Sequence, residues 1–261
     1  MTLNSFLLSA GAIFWLTPCL LAQTPKTTSG VPDGGTREAL ISIFIPNLAG
    51  APFAATVNTE WVRSLADGTR ITLKNHRLIA RDGRGRIFQE RRLLVADDGR
   101  AESVLTQTEI TDPVSHEKYI CVPQARVCQL EVLHAVETAS RMARRAAAQK
   151  GEQSLGTQSL GTQEIAGVEA IGTQEIEVIA KGAIGNDSPM LTKREYWYSP
   201  QLGLNVLSIR EDPRFGTQRF ELSAVTLGEP DAKLFAPPEG SKIIDLRKTT
   251  EIDAPQTPPQ E

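Results

Sequence analysis

The chain is poor in the residues that most often carry chemistry: its 261 positions hold three cysteines, three histidines and 5% aromatic residues. The histidines, His76, His116 and His134, form no H-E-x-x-H pair, no i, i+4 ligand pair and no G-x-S-x-G neighbourhood, which leaves no metal-ligand set, no cofactor motif and no catalytic residue to name. Charge of one sign is missing too. With 28 basic against 31 acidic residues the net charge is −3, so no broad basic field is available for nucleic acid. Long apolar runs are absent beyond one: Phe6 to Ala22 is about 17 residues, short of the roughly 20 that span a bilayer. The mature chain is therefore expected to be peripheral to a membrane at most.

That single run has the layout of a secretory signal, an apolar core through Trp15 and Leu16 followed by Leu20-Leu21-Ala22, and it predicts cleavage after Ala22 and a periplasmic or secreted product. Residues 23–36, rich in Thr, Pro and Gly, read as a flexible leader. Residues 37–247 read as one β-rich domain and residues 248–261, with three prolines, as a disordered tail. Removing Cys19 with the signal leaves Cys121 and Cys128 in YICVPQARVC. C-x6-C is neither a redox C-x-x-C nor a zinc knuckle. A hairpin about Pro123–Arg126 would set the two cysteines opposite each other, on a face shared with Tyr119, Leu130 and Val132, and a structural disulfide follows.

Turn signals at Ala66-Asp67-Gly68, Asp82-Gly83-Arg84-Gly85, Asp97-Asp98-Gly99 and Asp112-Pro113 separate β-rich runs, the pattern of sequential antiparallel hairpins. Further strands are predicted between 154 and 229, and AVETASRMARRAAAQK predicts one principal helix over 135–150 ended by Gly151. The fold class is thus mainly β (α+β), a curved antiparallel sheet or half-barrel with a helix packed on it. Two local features stand out. Arg77, Arg81, Arg84, Arg86, Arg91 and Arg92 fall within sixteen residues, either a basic strip for anions or a solvated face partly neutralised by Glu90. The strands 69–80 and 86–95 carry apolar residues on both faces, the mixture expected of a sheet covered on one side by the helix and curved around a partly apolar hollow of several hundred Å3. Trp61, Phe88, Leu94, Tyr196 and Tyr198 are the candidate lining residues. The duplicated SLGTQ at 154 and 159 lacks a P-loop lysine and reads as a local duplication beside a strand.

The segments APFAATVNTEWVRSLADG, KNHRLIARDGRGRIFQERRLLV, ITDPVSHEKYICVPQARVCQL and IAGVEAIGTQEIEVIAKGAIGND, together with the stretch from EYWYSP to KIIDL, resemble a group of uncharacterised secreted proteins of Acidobacteria. More distantly, long meandering strands and the late Leu234-Phe235-x-x-Pro238 element are similar to the periplasmic lipoprotein-carrier half-barrel. That resemblance implies a non-enzymatic binding protein whose concave sheet takes a lipid, acyl or lipoprotein ligand, or an envelope protein. Two alternatives stand beside it: a cell-envelope interaction or structural protein without a small ligand, and a secreted hydrolase with dispersed catalytic groups. If the inner face proves to be filled by the chain's own side chains, the envelope-interaction alternative leads.

Overall fold

The computed structural model describes residue 40 and residues 42–134 and 152–247. The expected signal peptide, leader, helix over 135–150 and tail lie outside the described residues. Among the described residues there is no α-helix, only 3-10 turns at Pro123–Ala125 and Ala232–Phe235.

Thirteen strands form one open, curved sheet. β1 (Phe53–Ser64) lies near its middle, and β2 (Arg70–Arg81), β3 (Ile87–Arg92), β5 (Leu105–Asp112), β6 (Glu117–Val122) and β7 (Val127–Val132) step away from it in sequence; the two-residue β4 (Val95–Ala96) pairs with β2. The chain then resumes at the far edge and walks back through β8 (Glu152–Ile165), β9 (Val168–Ile179), β10 (Met190–Ser199), β11 (Leu204–Asp212) and β12 (Gly216–Leu227), which closes on β1. β13 (Lys242–Asp245) adds to β7 as the one parallel pair. All the other pairings are antiparallel, as the turn signals predict. Each of those turns is held by its aspartate: Oδ1 of Asp67, Asp82, Asp98 and Asp112 accepts from the backbone N–H two residues on, the local bond that makes Asp a turn former.

The apolar residues on both faces of β2 and β3 have a different cause from the one expected. Lateral register sets Ala54, Ala80, Phe88, Ile110 and Tyr119 in one row and Ala55, Ile79, Gln89 and Glu109 in the next. Adjacent rows point to opposite faces. The first row is covered by the segment crossing from β12 to β13, whose Leu234 and Phe235 join Ala80, Phe88 and Ile110 in one cluster. The second face is covered at its apolar end by the residues before β1: Leu40, Ile43 and Ile45 join Phe53, Val57, Ile79 and Ile87. Two non-helical straps therefore bury opposite faces, and the sheet changes its buried side at β2 and β3. No helix among the described residues covers either face.

The SLGTQ duplication lies inside β8. Each copy inserts one irregularity, between Ser154 and Gly156 and between Ser159 and Gly161, at glycines with positive φ. A bulge every five residues twists this edge strand.

Cys121 stands directly opposite Cys128, and the two are bonded. Both are buried with Leu130 on the face the sequence assigned to them. Arg126 takes the left-handed conformation that lets the short turn close. Closing this small loop contributes about 2.5 kcal/mol on the chain-entropy model. The double substitution Cys121→Ala, Cys128→Ala is expected to lower unfolding free energy by about that amount in urea titration, with the midpoint falling and the slope little changed.

Candidate functional site

The inner face is best read from Arg81 outward. Its side chain is fully buried, stacks on Phe53 at 5.1 Å, and donates to three backbone carbonyls: Ala51 at 3.0 and 2.8 Å, Pro46 at 3.1 Å and Leu202 at 2.5 Å. Leu202 sits in the turn into β11, three strands from β2. In a flat sheet three strand spacings are about 14 Å, beyond the reach of one arginine. The bond therefore carries the β10–β11 turn over this side of β2, the inner side of the curved sheet. Residues from β8 and β9, Ile165, Val168 and Ala170, complete the same apolar cluster from the opposite flank.

Across that concavity lies the strap before β1. It is extended but forms no strand; Ile43 and Ile45 point inward and are buried, whereas Phe44 between them is exposed. Its polar hold comes from arginine. Arg77 Nη2 donates to Ser42 Oγ at 2.9 Å and Arg81 to the Pro46 carbonyl. The apolar part of the concave face is thus filled by the chain's own side chains, not left as an open hollow.

Beyond Ile79 the concave face turns polar. Glu109 accepts two bonds from Arg91 at 3.0 Å, one from Gln89 at 2.9 Å and one from Gln107 at 3.1 Å, which occupies about all the acceptor positions a carboxylate has. Burial works to raise its pKa, but the Arg91 hydrogen bonds and charge, with Lys118 and Arg77, overcome this and hold it below the usual range. Arg77 stands at the border between the apolar and polar parts, only 4% exposed. Burial first, and the neighbouring Arg91 charge second, bring its pKa down to about 10. Its Nη1 is buried without an acceptor.

The arginine cluster forms no basic strip. Arg77, Arg81 and Arg91 serve the concave face; Arg92 pairs with Glu90 at 2.8 Å; Arg86 pairs with Asp82 at 2.7 Å and lies over Phe235; Arg84 is exposed in the turn. Five of the six, all but Arg84, thus have named anionic, carbonyl or hydroxyl partners inside the fold.

Of the five candidate lining residues, Trp61 lies on the concave face; Tyr196, three strands away in β10, is half-buried, and it is its neighbour Trp197 that joins the apolar cluster. Trp61 is buried, donates to the Phe215 carbonyl at 2.6 Å and carries Arg63 over its ring. Phe88 lies on the opposite, convex face under Phe235. Leu94 is half-buried outside the strands, between β3 and β4, and Tyr198 is exposed. The structure therefore does not bring the five together. Sequence reasoning missed the strap, although its alternation of apolar residues ending at Pro46 was the signal available, and it missed Arg77 and Arg81 as inward-facing groups of the same parity as Ile79.

Two further cavities open elsewhere. One of about 610 Å3 runs past Asn58, Lys74, His76 and Arg219, where Lys74 is bound to Glu60 and Asp97 and Arg219 to Glu221. The other, about 990 Å3, borders Leu191, Arg214 and Phe215. There Asp212 accepts from Arg210 and Arg214; burial would raise its pKa, and the Arg214 hydrogen bonds with both arginine charges hold it low instead. Among the described residues no three His, Cys, Asp or Glu side chains converge to hold a metal ion.

No family model matches the chain, and no curated protein matches it. Among solved structures it is similar to the Pseudomonas aeruginosa MucA/MucB complex, at 14% identity over 74% of this chain and 58% of that one with a TM-score of 0.36. It is also similar to the Mycobacterium tuberculosis lipoprotein LppX, at 11% identity over 68% and 87% with a TM-score of 0.27, and to a putative outer membrane lipoprotein-sorting protein domain from Vibrio parahaemolyticus, at 7% identity over 71% and 90% with a TM-score of 0.26. The chain spans less than two thirds of the MucB chain it matches. The resemblance to secreted Acidobacteria proteins finds no support in these comparisons. No helix among the described residues is long and apolar enough to cross a membrane.

Replacing Arg81 leaves three carbonyls in the interior without their donor, each costing about 1–3 kcal/mol. Arg81→Met is expected to lower stability by about 3–5 kcal/mol in denaturant titration, a far larger loss than Arg84→Met, which removes only an exposed turn side chain.

Proposed function

We propose that this chain is a non-enzymatic binding protein of the cell envelope, delivered by the signal expected at residues 1–22, whose curved sheet holds an extended apolar chain on its concave face. The observation that carries this is the strap. Residues 42–46 lie across the concave face without joining the sheet, buried through Ile43 and Ile45 and gripped by Arg77 and Arg81. A covering segment that forms no ladder is held by its buried side chains and by the arginine bonds to Ser42 and to the Pro46 carbonyl, and an exogenous chain that offers the same groups competes for those contacts. The open-hollow carrier expected from the sequence is not what the fold offers, because the face is already filled, and this favours the alternative, a cell-envelope interaction or structural protein without a small ligand; the binding reading proposed here rests instead on the filling segment lying outside the sheet.

Binding to the full-length mature protein separates the two. Burying each isoleucine is worth about 1.5–3 kcal/mol, so Ile43→Asp with Ile45→Asp frees the face by at least about 3 kcal/mol and raises apparent affinity for an acyl probe or an apolar peptide roughly 100-fold. The wild type should bind dansylaminoundecanoate weakly and the double variant tightly, both with the Cys121–Cys128 bond intact. If neither protein takes up an acyl probe or an apolar peptide, the structural alternative holds.

A further inference from the structure

Arg77 is a buried cation with a donor to spare. Ser42 supplies one neutral oxygen to Nη2, the nearby Glu109 carboxylate is saturated by Arg91, Gln89 and Gln107, and Nη1 is buried with no acceptor. Burying a guanidinium in this state costs stability that a well-packed apolar side chain would not. The carboxylates near it are taken as well. Its charged neighbours are Arg91, which opposes its charge, and Glu109 and Glu90, which favour it, but each of those carboxylates is already held by another arginine, Glu109 by Arg91 and Glu90 by Arg92.

Taking the binding reading above as its basis, we infer that the concave face recognises an extended polypeptide that carries a carboxylate side chain where the strap carries Ser42, followed by branched apolar residues at the positions of Ile43 and Ile45. Peptide chemistry fits because Arg81 holds the strap by a main-chain carbonyl, at Pro46, an acceptor that recurs at every residue of a peptide and is absent from the hydrocarbon tail of an acyl chain. A carboxylate fits because Arg77 has two donors close together and only one is used; Asp or Glu accepts both in bidentate fashion, which a hydroxyl cannot do. The resident strap is thus a deliberately weaker occupant than its competitor. Its serine holds the groove closed and leaves the strongest contact unmade.

The test uses two fluorescein-labelled peptides with the sequence of residues 40–47, one unchanged and one carrying Ser42→Asp, titrated into the mature full-length protein and into the Ile43→Asp, Ile45→Asp variant. The aspartate peptide is expected to bind at least 10-fold tighter to both, and that preference should vanish in Arg77→Met. Because the spare donor is a burden to the free protein, Arg77→Met should not lower the thermal midpoint, which separates lost recognition from lost folding. Equal affinities for the two peptides, or a preference that survives Arg77→Met, overturn the inference. If the acyl probe binds but neither peptide does, the inference fails while the binding reading stands; if nothing binds, both fail.

Discussion

Three segments of the inner face are held together by one buried cation. Arg81 ties the end of the strap, the entry to β1 and the turn before β11 through three carbonyls, and it does so with no carboxylate partner among those bonds. A guanidinium can be stored this way because its planar fork of donors meets several fixed acceptors at once. Burial nevertheless pulls its pKa below the ordinary arginine value. The contact holds the β10–β11 turn over β2, and it anchors the segment that fills the concavity. Fold and candidate site share this residue.

Two arginines of the same strand and the same face therefore do opposite things. Arg81 is fully satisfied and structural. Arg77, four residues earlier in β2, is nearly as buried but keeps an unmatched donor at the seam where the concave face changes from Ile79 to Gln89 and Glu109. Folded-state pKa below the unfolded value means that the charged form is penalised on folding: the penalty is present at neutral pH and is relieved as pH rises through about 10. No acceptor at Nη1 offsets that cost within the fold.

Much of the architecture is legible in the sequence because period-2 patterning and Asp-Gly turns report local geometry. The hairpin about Cys121 and Cys128 is the clearest case, since face, turn and pairing all agree with the register. The strands flanking Asp67, Asp82, Asp98 and Asp112 follow for the same reason. What could not be read is which non-local segment covers which face. Mixed apolar residues in β2 and β3 announce double burial, but the coverings are residues 42–46 and 231–238, one before the first strand and the other after the twelfth, and no local signal links them to Ile79 or Phe88. The aromatic residues misled for a related reason: parity within one strand does not say which face is concave, so Phe88 and Trp61 were grouped although they lie on opposite sides.

The central claim is that the strap leaves the concave face when a stronger occupant arrives. Thiol labelling of Ile43→Cys in the otherwise native full-length mature protein measures this directly. A buried residue 43 should react with maleimide slowly in the free protein and at least 10-fold faster when the Ser42→Asp peptide is added at saturating concentration. An unchanged slow rate in the presence of bound peptide would show that the strap stays in place, and the account of the concave face as an exchangeable binding site would be wrong.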